Sequence, residues 1–479
     1  MAAGSIPTTG LYSPRPTFFL PMLVVGLAVF VASMFGILTR PVGALAAFWP
    51  ANAILLGLMV RNPHFNSAWG WGVAFLAYIA ADLLTGGSLE RTLWLTAANL
   101  LGASAGVLLY TFLSEDDRKL RRPVSMLYLF GICGVSAFAA AIAGGGAARM
   151  VFGRDFLTGF EFWYVTEFVN SLVILPVILS FPGRDEWRLA DPMKLVHPFG
   201  QLDCTALAFK ILPIVALIGS IVVAQVIGGP GVIAFPVPAL IWCALSFPVF
   251  PTAVITMLLC AWLLIAAAMG TLALPPMTDS LASLTSFRLG VALSALGPLT
   301  VAAINSARND LLAKLSYAAD HDQLTGALSR GAVMRRAEIM LARKQYDPVA
   351  IMMVDIDHFK KINDRYGHAV GDQTLIEFVR TTQGCLRSGD LLGRIGGEEF
   401  VVVLPNTSLS RAKQLAEKMR RDLAARRGNV SPDLMITASF GIACTAAHRS
   451  AGLDCLLSIA DRALYRAKET GRNKVVLSS

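Results

Sequence analysis

The sequence predicts two physically different bodies in one chain: a multi-span α-helical membrane domain followed by a water-exposed α/β domain. Three observations carry this. Of the 479 residues, 55% are hydrophobic and only 15% are charged, against about 25% charged in soluble domains. The charge is also uneven: residues 1–304 hold 15 Lys+Arg and 13 Asp+Glu, and residues 305–479 hold the remaining 26 and 19. Finally, apolar runs close to the ~20 residues needed to cross a bilayer recur until residue 304, after which strand-length and helix-length patterns alternate.

Ten apolar runs follow one another in the front half: 18–38, 43–60, 67–84, 92–113, 124–143, 160–181, 205–227, 232–250, 252–271 and 287–304. The eighth carries Pro236, Pro238 and Pro248, which favour a kinked or re-entrant segment, so eight to ten spans are expected. Only Arg15 is basic before the first run and no small-residue cleavage site follows it. It reads as a retained span, not a leader. With the N-terminus cytoplasmic, inside loops hold eleven basic residues (Arg15, Arg61, Arg118, Lys119, Arg121, Arg122, Arg184, Arg188, Lys194, Arg308, Lys314) and outside loops four (Arg40, Arg91, Arg149, Arg154). That bias, with an even span number, puts residue 305 onward in the cytoplasm.

Polar residues interrupt the runs at Asn52, Asp82, Asn99, Glu161, Glu167, Asn170, Lys210, Gln225 and Arg288. Ionisable groups at membrane depth want a partner, a cavity or an interface. A ligand pocket, an ion path and simple locking of helices all remain open. Glu167 and Asn170, on adjacent turns, form the first pair to test. The seven cysteines are scattered without a Cys-x-x-Cys pair, as free thiols are. The segments Phe48-Trp49-Pro50-Ala51-Asn52, Phe162-Trp163-Tyr164 and Leu175-Pro176-Val177 resemble the first class of bacterial membrane-associated sensor (MASE) domains. That resemblance implies an integral sensor over residues 1–304, in a bacterial inner membrane.

Residues 305–320 form the junction. Ile304, Arg308, Leu311, Leu315 and Ala318 recur at alternating four and three spacing, as in a short parallel coiled coil, although Arg308 suits a core position poorly. A plain linker helix fits equally. Residues 321–479 then alternate. After a turn at Asp322–Thr325, residues 320–345 have helical character, 349–354 form a buried strand, and 372–386 a helix. Strands 391–395 and 400–404 flank Gly396-Gly397 as a hairpin. Helix 409–425, strand 434–443, helix 453–470 and strand 474–477 complete an α/β sandwich with a mostly antiparallel central sheet.

The chemistry lies where strands end. Asp355-Ile356-Asp357 closes the central strand, and oxygen ligands beside a turn suit Mg²⁺; alternation puts Asp355 and Asp357 on one face if the strand persists. Gly396-Gly397 lets the backbone approach a ligand closely, and the tip presents Glu398 and Glu399. Each piece alone is ordinary: a solvated acidic pair, a turn. Jointly they suggest a metal-nucleotide site, and the net basic charge of this half suits an anionic partner.

With Asp322-Gln323-Leu324-Thr325-Gly326, Asp355 to Asp364, Tyr366-Gly367-His368, Gly371-Asp372, Gly396 to Phe400, Ala460 to Tyr465 and Lys468 to Asn473, the back half resembles the GGDEF diguanylate cyclase family. The resemblance implies a nucleotidyl-cyclase-like α/β domain that condenses two GTP into cyclic di-GMP as a homodimer, with Mg²⁺, two ions per GTP site. It implies that Asp355, the Ile356 carbonyl and Glu398 hold the metal, that Glu398, Glu399 and Lys360 are catalytic, and that Phe359, Asn363, His368, Asp372, Lys468 and Arg472 bind substrate. Arg387-Ser388-Gly389-Asp390, with Lys418, matches the family's inhibitory product site. GTP, cyclic di-GMP, the lipid bilayer and a second copy are the expected partners; nucleic acid is not. Position 398 carries Glu where the family name has Asp, and 358 carries His where Phe is frequent. The chain stops soon after Arg472, so no phosphodiesterase domain is expected. A silent nucleotide receptor and a regulated transporter are the rival readings.

Overall fold

The protein is described by a computed structural model covering residues 19–39, 48–152, 155–183, 204–272, 281–426, 434–446 and 451–478. It divides into two compact units, Met1–Asn309 and Asp310–Ser479.

The first unit is helical throughout the described residues: α1 (Phe19–Leu38), α2 (Ala51–Arg61), α3 (Ala68–Leu84), α4 (Leu89–Thr111), the single turn α5 (Glu115–Arg118), α6 (Ser125–Phe152), α7 (Phe156–Leu179), α8 (Cys204–Ile227), α9 (Val237–Ser246), α10 (Val249–Ala268) and α11 (Leu281–Asp320). Among the described residues, six helices are long and apolar enough to cross a membrane, and four shorter apolar ones accompany them. The proline-bearing eighth run forms a 3₁₀ turn and the ten-residue α9. At 1.5 Å per residue this reaches about 15 Å, half a hydrocarbon core. The run at 43–60 is helical only from Ala51. Arg15, Arg40, Arg154, Arg184, Arg188 and Lys194, used for orientation, lie outside the described residues, as do residues 43–47 and the side chains of Arg149, Cys204 and Lys210. The six other cysteines are free thiols.

Small residues bring the helices close. Gly102 on α4 has no room for a Cβ beside Ala140 and the Ser136 carbonyl, and the Ser136 hydroxyl donates to the Gly102 carbonyl at 2.7 Å, a close approach typical of membrane helix pairs. Asn52 is the polar hub. Its amide donates to Asn99 at 3.0 Å and Glu167 at 2.6 Å, and its carbonyl oxygen accepts from the Tyr78 hydroxyl at 2.6 Å. Four helices meet there. Asn170 accepts from the Trp49 backbone N–H and donates to the Thr166 carbonyl, so Glu167 and Asn170 each bind elsewhere rather than to one another. Glu161 and Gln225 are exposed.

The junction is the end of α11, a single 40-residue helix. Ile304, Leu311 and Leu315 are exposed on it.

The second unit contains β1 (Leu328–Ser329), α12 (Arg330–Leu341), β2 (Ala350–Ile356), α13 (Phe359–Tyr366), α14 (His368–Gln383), β3 (Leu391–Arg394), β4 (Glu399–Leu404), α15 (Leu409–Ala425), β5 (Ala438–Cys444), α16 (Leu453–Glu469) and β6 (Val475–Leu477). The sheet order is β1-β3-β4-β2-β5-β6. The inner pairs β3–β4, β4–β2 and β2–β5 are antiparallel, and both edge pairs are parallel. All seven β2 residues are buried, because helices cover both faces. Met352, Val354 and Ile356 pack with Phe359, Phe378 and Met419 of α13–α15. Ile351 and Met353 pack with Val333 of α12 and Leu456 and Leu464 of α16.

Four elements differ from the pattern reading, one being the strand expected at 434–443, which starts only at Ala438. The 320–345 stretch is broken by β1, after which the Ser329 side chain caps α12. The eight-residue α13 was not foreseen: it buries only Phe359 and Ile362, too few for a periodic signal. Gly367, at φ +84°, both ends α13 and starts α14, so α14 begins at His368 rather than residue 372. Such a φ suits a residue without a Cβ.

Candidate active site

β2 carries its last side chains into the space between α16 and the β3–β4 hairpin. Asp355 shares a face with Ile351 and Met353, the face α16 covers, and its carboxylate meets the Lys468 ammonium at 2.6 Å. Asp355 stands directly across from Glu399 in the ladder, and such neighbours have Cβ atoms ~5 Å apart. The next rung joins the Ile356 N–H to the Glu398 carbonyl at 3.3 Å. The hairpin tip and the strand end therefore converge on one side of the sheet.

The carboxylates crowd. Burial raises the Asp355 carboxyl above its ordinary range; Lys468 opposes the shift, and Glu399 and Asp357 add to it. Burial also raises Glu398, with Asp355 and Glu399 repelling its charged form and Lys468 easing it. Oxygen donors that resist carrying their charge unaided fit a hard divalent cation. Asp355, Glu398 and the Ile356 carbonyl are the groups suited to hold it. Among the described residues, no three carboxylate, histidine or cysteine side chains are already drawn into a ligand sphere.

Asp357 has a different task. The strand ends before it, and its carboxylate accepts from Thr437 at 3.0 Å, Ser439 at 2.7 Å and the Asn473 N–H at 2.9 Å. It ties the turn after α16 to β5. Arg472, exposed and at φ +59°, lies on that turn.

Lys360 is exposed on α13, and His368 and Asp372 are exposed on the first turns of α14. Asn363 is half-buried, and its side-chain oxygen rests where a Cβ at Gly371 would lie. Phe359 is 8% exposed and belongs to the core beneath these helices. Arg387 and Asp390 close a tight turn on each other's backbone. With Lys418 they line a separate cavity of about 360 Å³.

Sequence reasoning missed the residues that hold these parts in place. Arg394 donates to the carbonyls of Gly396 (3.2 Å) and Gly397 (2.7 Å) and pairs with Asp322 at 3.1 Å. Asp322 also accepts from the Thr325 N–H and hydroxyl. Burial alone would raise the Asp322 carboxyl, but Thr325 and Arg394 together hold it below the usual range. The Asp-x-Leu-Thr turn is thus the anchor of the hairpin tip. A basic residue two places before a Gly-Gly turn was the available signal, since turn carbonyls lack ladder partners. Arg411 and Arg421 join the second cavity, which a reading by motif alone does not reach.

A sheet whose central strand and neighbouring hairpin gather carboxylates beside Lys468 has the donor set of an α/β enzyme of the phosphoryl-transfer class. Residues 319–474 match the family model described as "Diguanylate cyclase, GGDEF domain". The "Probable diguanylate cyclase DgcF" of Escherichia coli O157:H7 is 30% identical over 442 residues, 91% of this chain and 90% of that protein. "Diguanylate cyclase DgcM" of Escherichia coli K12 is 41% identical over 167 residues, 34% of this chain and 39% of that protein. The solved coiled coil and GGDEF domain of DgcB from Caulobacter crescentus, in complex with c-di-GMP, is 27% identical over 36% of this chain and 91% of that chain, with a TM-score of 0.33. The chain belongs to the GGDEF diguanylate cyclase family, and its enzymatic class is that of a diguanylate cyclase.

Proposed function

We propose that the chain is a membrane-embedded diguanylate cyclase that converts two GTP into cyclic di-GMP and two diphosphates under the control of residues 1–304. The observation that carries this is the convergence of Asp355, Glu398 and Glu399 beside Lys468. Two domains, each holding one GTP, face each other so that each 3′-oxygen lies in line with the other α-phosphorus. Each O3′–Pα bond forms as a Pα–O bond to diphosphate breaks, and Glu398, helped by Glu399, accepts the hydroxyl proton. Lys360, Lys468 and Arg472 neutralise the triphosphate. Lys468 then exchanges its Asp355 contact for phosphate. Asn363 and Asp372 complement the guanine edge, His368 lies beside the nucleotide, and Phe359 supports the helix that carries Lys360 and Asn363. Mg²⁺, two ions per GTP, supplies charge neutralisation and a lowered hydroxyl pKa when held by Asp355, Ile356 and Glu398.

Residues 1–304 act as a MASE-type sensor in a bacterial inner membrane, with the N-terminus and residues 321–479 in the cytoplasm; six helices long enough to span support this. Residues 305–320 transmit by pairing with a second copy. The cavity of Arg387, Asp390 and Lys418, widened by Arg411 and Arg421, takes cyclic di-GMP as an inhibitor, four cations facing a two-phosphate ligand. GTP turnover by the detergent-purified chain with Mg²⁺ tests the whole reading. Glu398→Gln is expected to yield no cyclic dinucleotide, and product formation at the parental rate would overturn the assignment.

A further inference from the structure

A second site is built into the helical unit. A cavity of about 90 Å³ lies among α1, α3, α4 and α7, lined in part by Ser33, Tyr78, Asp82, Arg91, Trp163 and Glu167. It sits at the end of the bundle where α1 and α3 finish and α4 and α7 begin. With a cytoplasmic N-terminus, that is the outward end.

Its lining has unmet polar chemistry. Glu167 is 6% exposed, accepts one hydrogen bond from Asn52, and forms no ion pair among the described residues. The Ser33 hydroxyl, on a residue 1% exposed, and the Trp163 indole N–H are buried without a hydrogen-bond partner. A carboxylate is acceptor-only and asks for a donor; an indole N–H is donor-only and asks for an acceptor. The rings of Tyr78 and Trp163 suit a cation as well. The space is smaller than the ~150 Å³ cavity that admits benzene, which limits an occupant to roughly four to six heavy atoms.

We propose that this cavity binds a small zwitterion, an α-amino acid of the size of glycine or alanine, with its ammonium on Glu167 and its carboxylate on the Trp163 N–H. The same wall reaches the output helix. Phe162 and Thr166 also line the cavity. Arg288 of α11 lies 4.8 Å over the Phe162 ring and donates to the Thr166 hydroxyl at 3.2 Å. α11 runs unbroken from there to Asp320. Occupancy that shifts Phe162 therefore acts on the helix entering the catalytic unit, a consequence that rests on the sensor reading of residues 1–304.

The test is calorimetric titration of the full chain in lipid nanodiscs with glycine, methylammonium and acetate, alongside GTP turnover. Glycine is expected to bind at least tenfold tighter than either single-charge probe. Glu167→Gln, which keeps the Asn52 hydrogen bond, should weaken glycine at least tenfold, and Ser33→Leu, which fills the space, should abolish binding while GTP turnover persists. No binding of any probe to protein that still turns over GTP would overturn the proposal. So would methylammonium matching glycine, or both variants binding as the parent does. Glycine binding that leaves turnover unchanged would support the site and refute the sensor reading instead.

Discussion

Gly371→Ala separates substrate reading from folding. A Cβ at 371 would lie 1.9 Å from the Asn363 side-chain oxygen and 3.4 Å from the tip of Phe359, while real Cβ contacts stay beyond 3.0 Å. The oxygen must therefore retreat by about 1.1 Å. It is the end of a half-buried side chain, so the move costs the fold little, and alanine in the first turns of α14 regains up to about 1 kcal/mol of helix propensity. With Asn363 on the guanine edge, as proposed, substrate binding bears the consequence. A hydrogen bond lost to a buried partner is worth about 1–3 kcal/mol, or roughly 5- to 140-fold in affinity at 1.4 kcal/mol per decade. The expected result is a rise of one to two decades in KM for GTP, with kcat changed by less than about threefold and the melting temperature nearly constant. Steady-state diphosphate release and a thermal melt on the same preparation read both. An unchanged KM would show that Asn363 does not contact the base; a melting point falling as far as the affinity would show that Gly371 is a packing residue.

Lys468→Met leaves the Asp355 carboxylate, 7% exposed at the side chain, beside two others without its cation. Breaking a buried pair costs about 3–5 kcal/mol, and because Lys468 is about a third exposed, about 2 kcal/mol is expected here. Denaturant unfolding should show this loss without Mg²⁺ and much less of it with Mg²⁺; equal losses would refute Asp355 as a ligand. Asp322 is held below the ordinary carboxylate range, so the unfolded chain binds more protons in acid. Its contribution is complete above the ordinary range and is lost as pH falls through the depressed value. Asp322→Asn should therefore flatten the acid limb of stability, which an acid titration followed by near-UV circular dichroism can check. Arg387→Ala removes the backbone-closing turn's cation from the second cavity; cyclic di-GMP should accumulate to a higher plateau in a single-pot assay, and an identical plateau would place inhibition elsewhere.

Much of this is legible in the amino-acid sequence alone. Helix 409–425 is found with the same boundaries, because four buried apolar positions at helical spacing follow a serine cap. The buried strand was visible as an apolar run of strand length at 349–354, and it runs from Ala350 to Ile356. The family motifs supplied the candidate site residues, but they did not say which neighbours hold them. Short range is the reason. α13 is too brief to leave a periodic trace, and β1 owes its existence to pairing with β3, more than sixty positions downstream.

Local pattern and composition, being properties of neighbours along the chain, determined that an apolar helical region precedes a basic α/β domain and where its acidic clusters lie. Contacts between distant segments were decided only on folding. The Arg394–Asp322 anchor spans 72 positions, the Asp357 clasp 116, and Asn52 draws Glu167 across 115. Such partners are chosen by geometry that the sheet register and helix packing impose, and no stretch of adjacent residues encodes them.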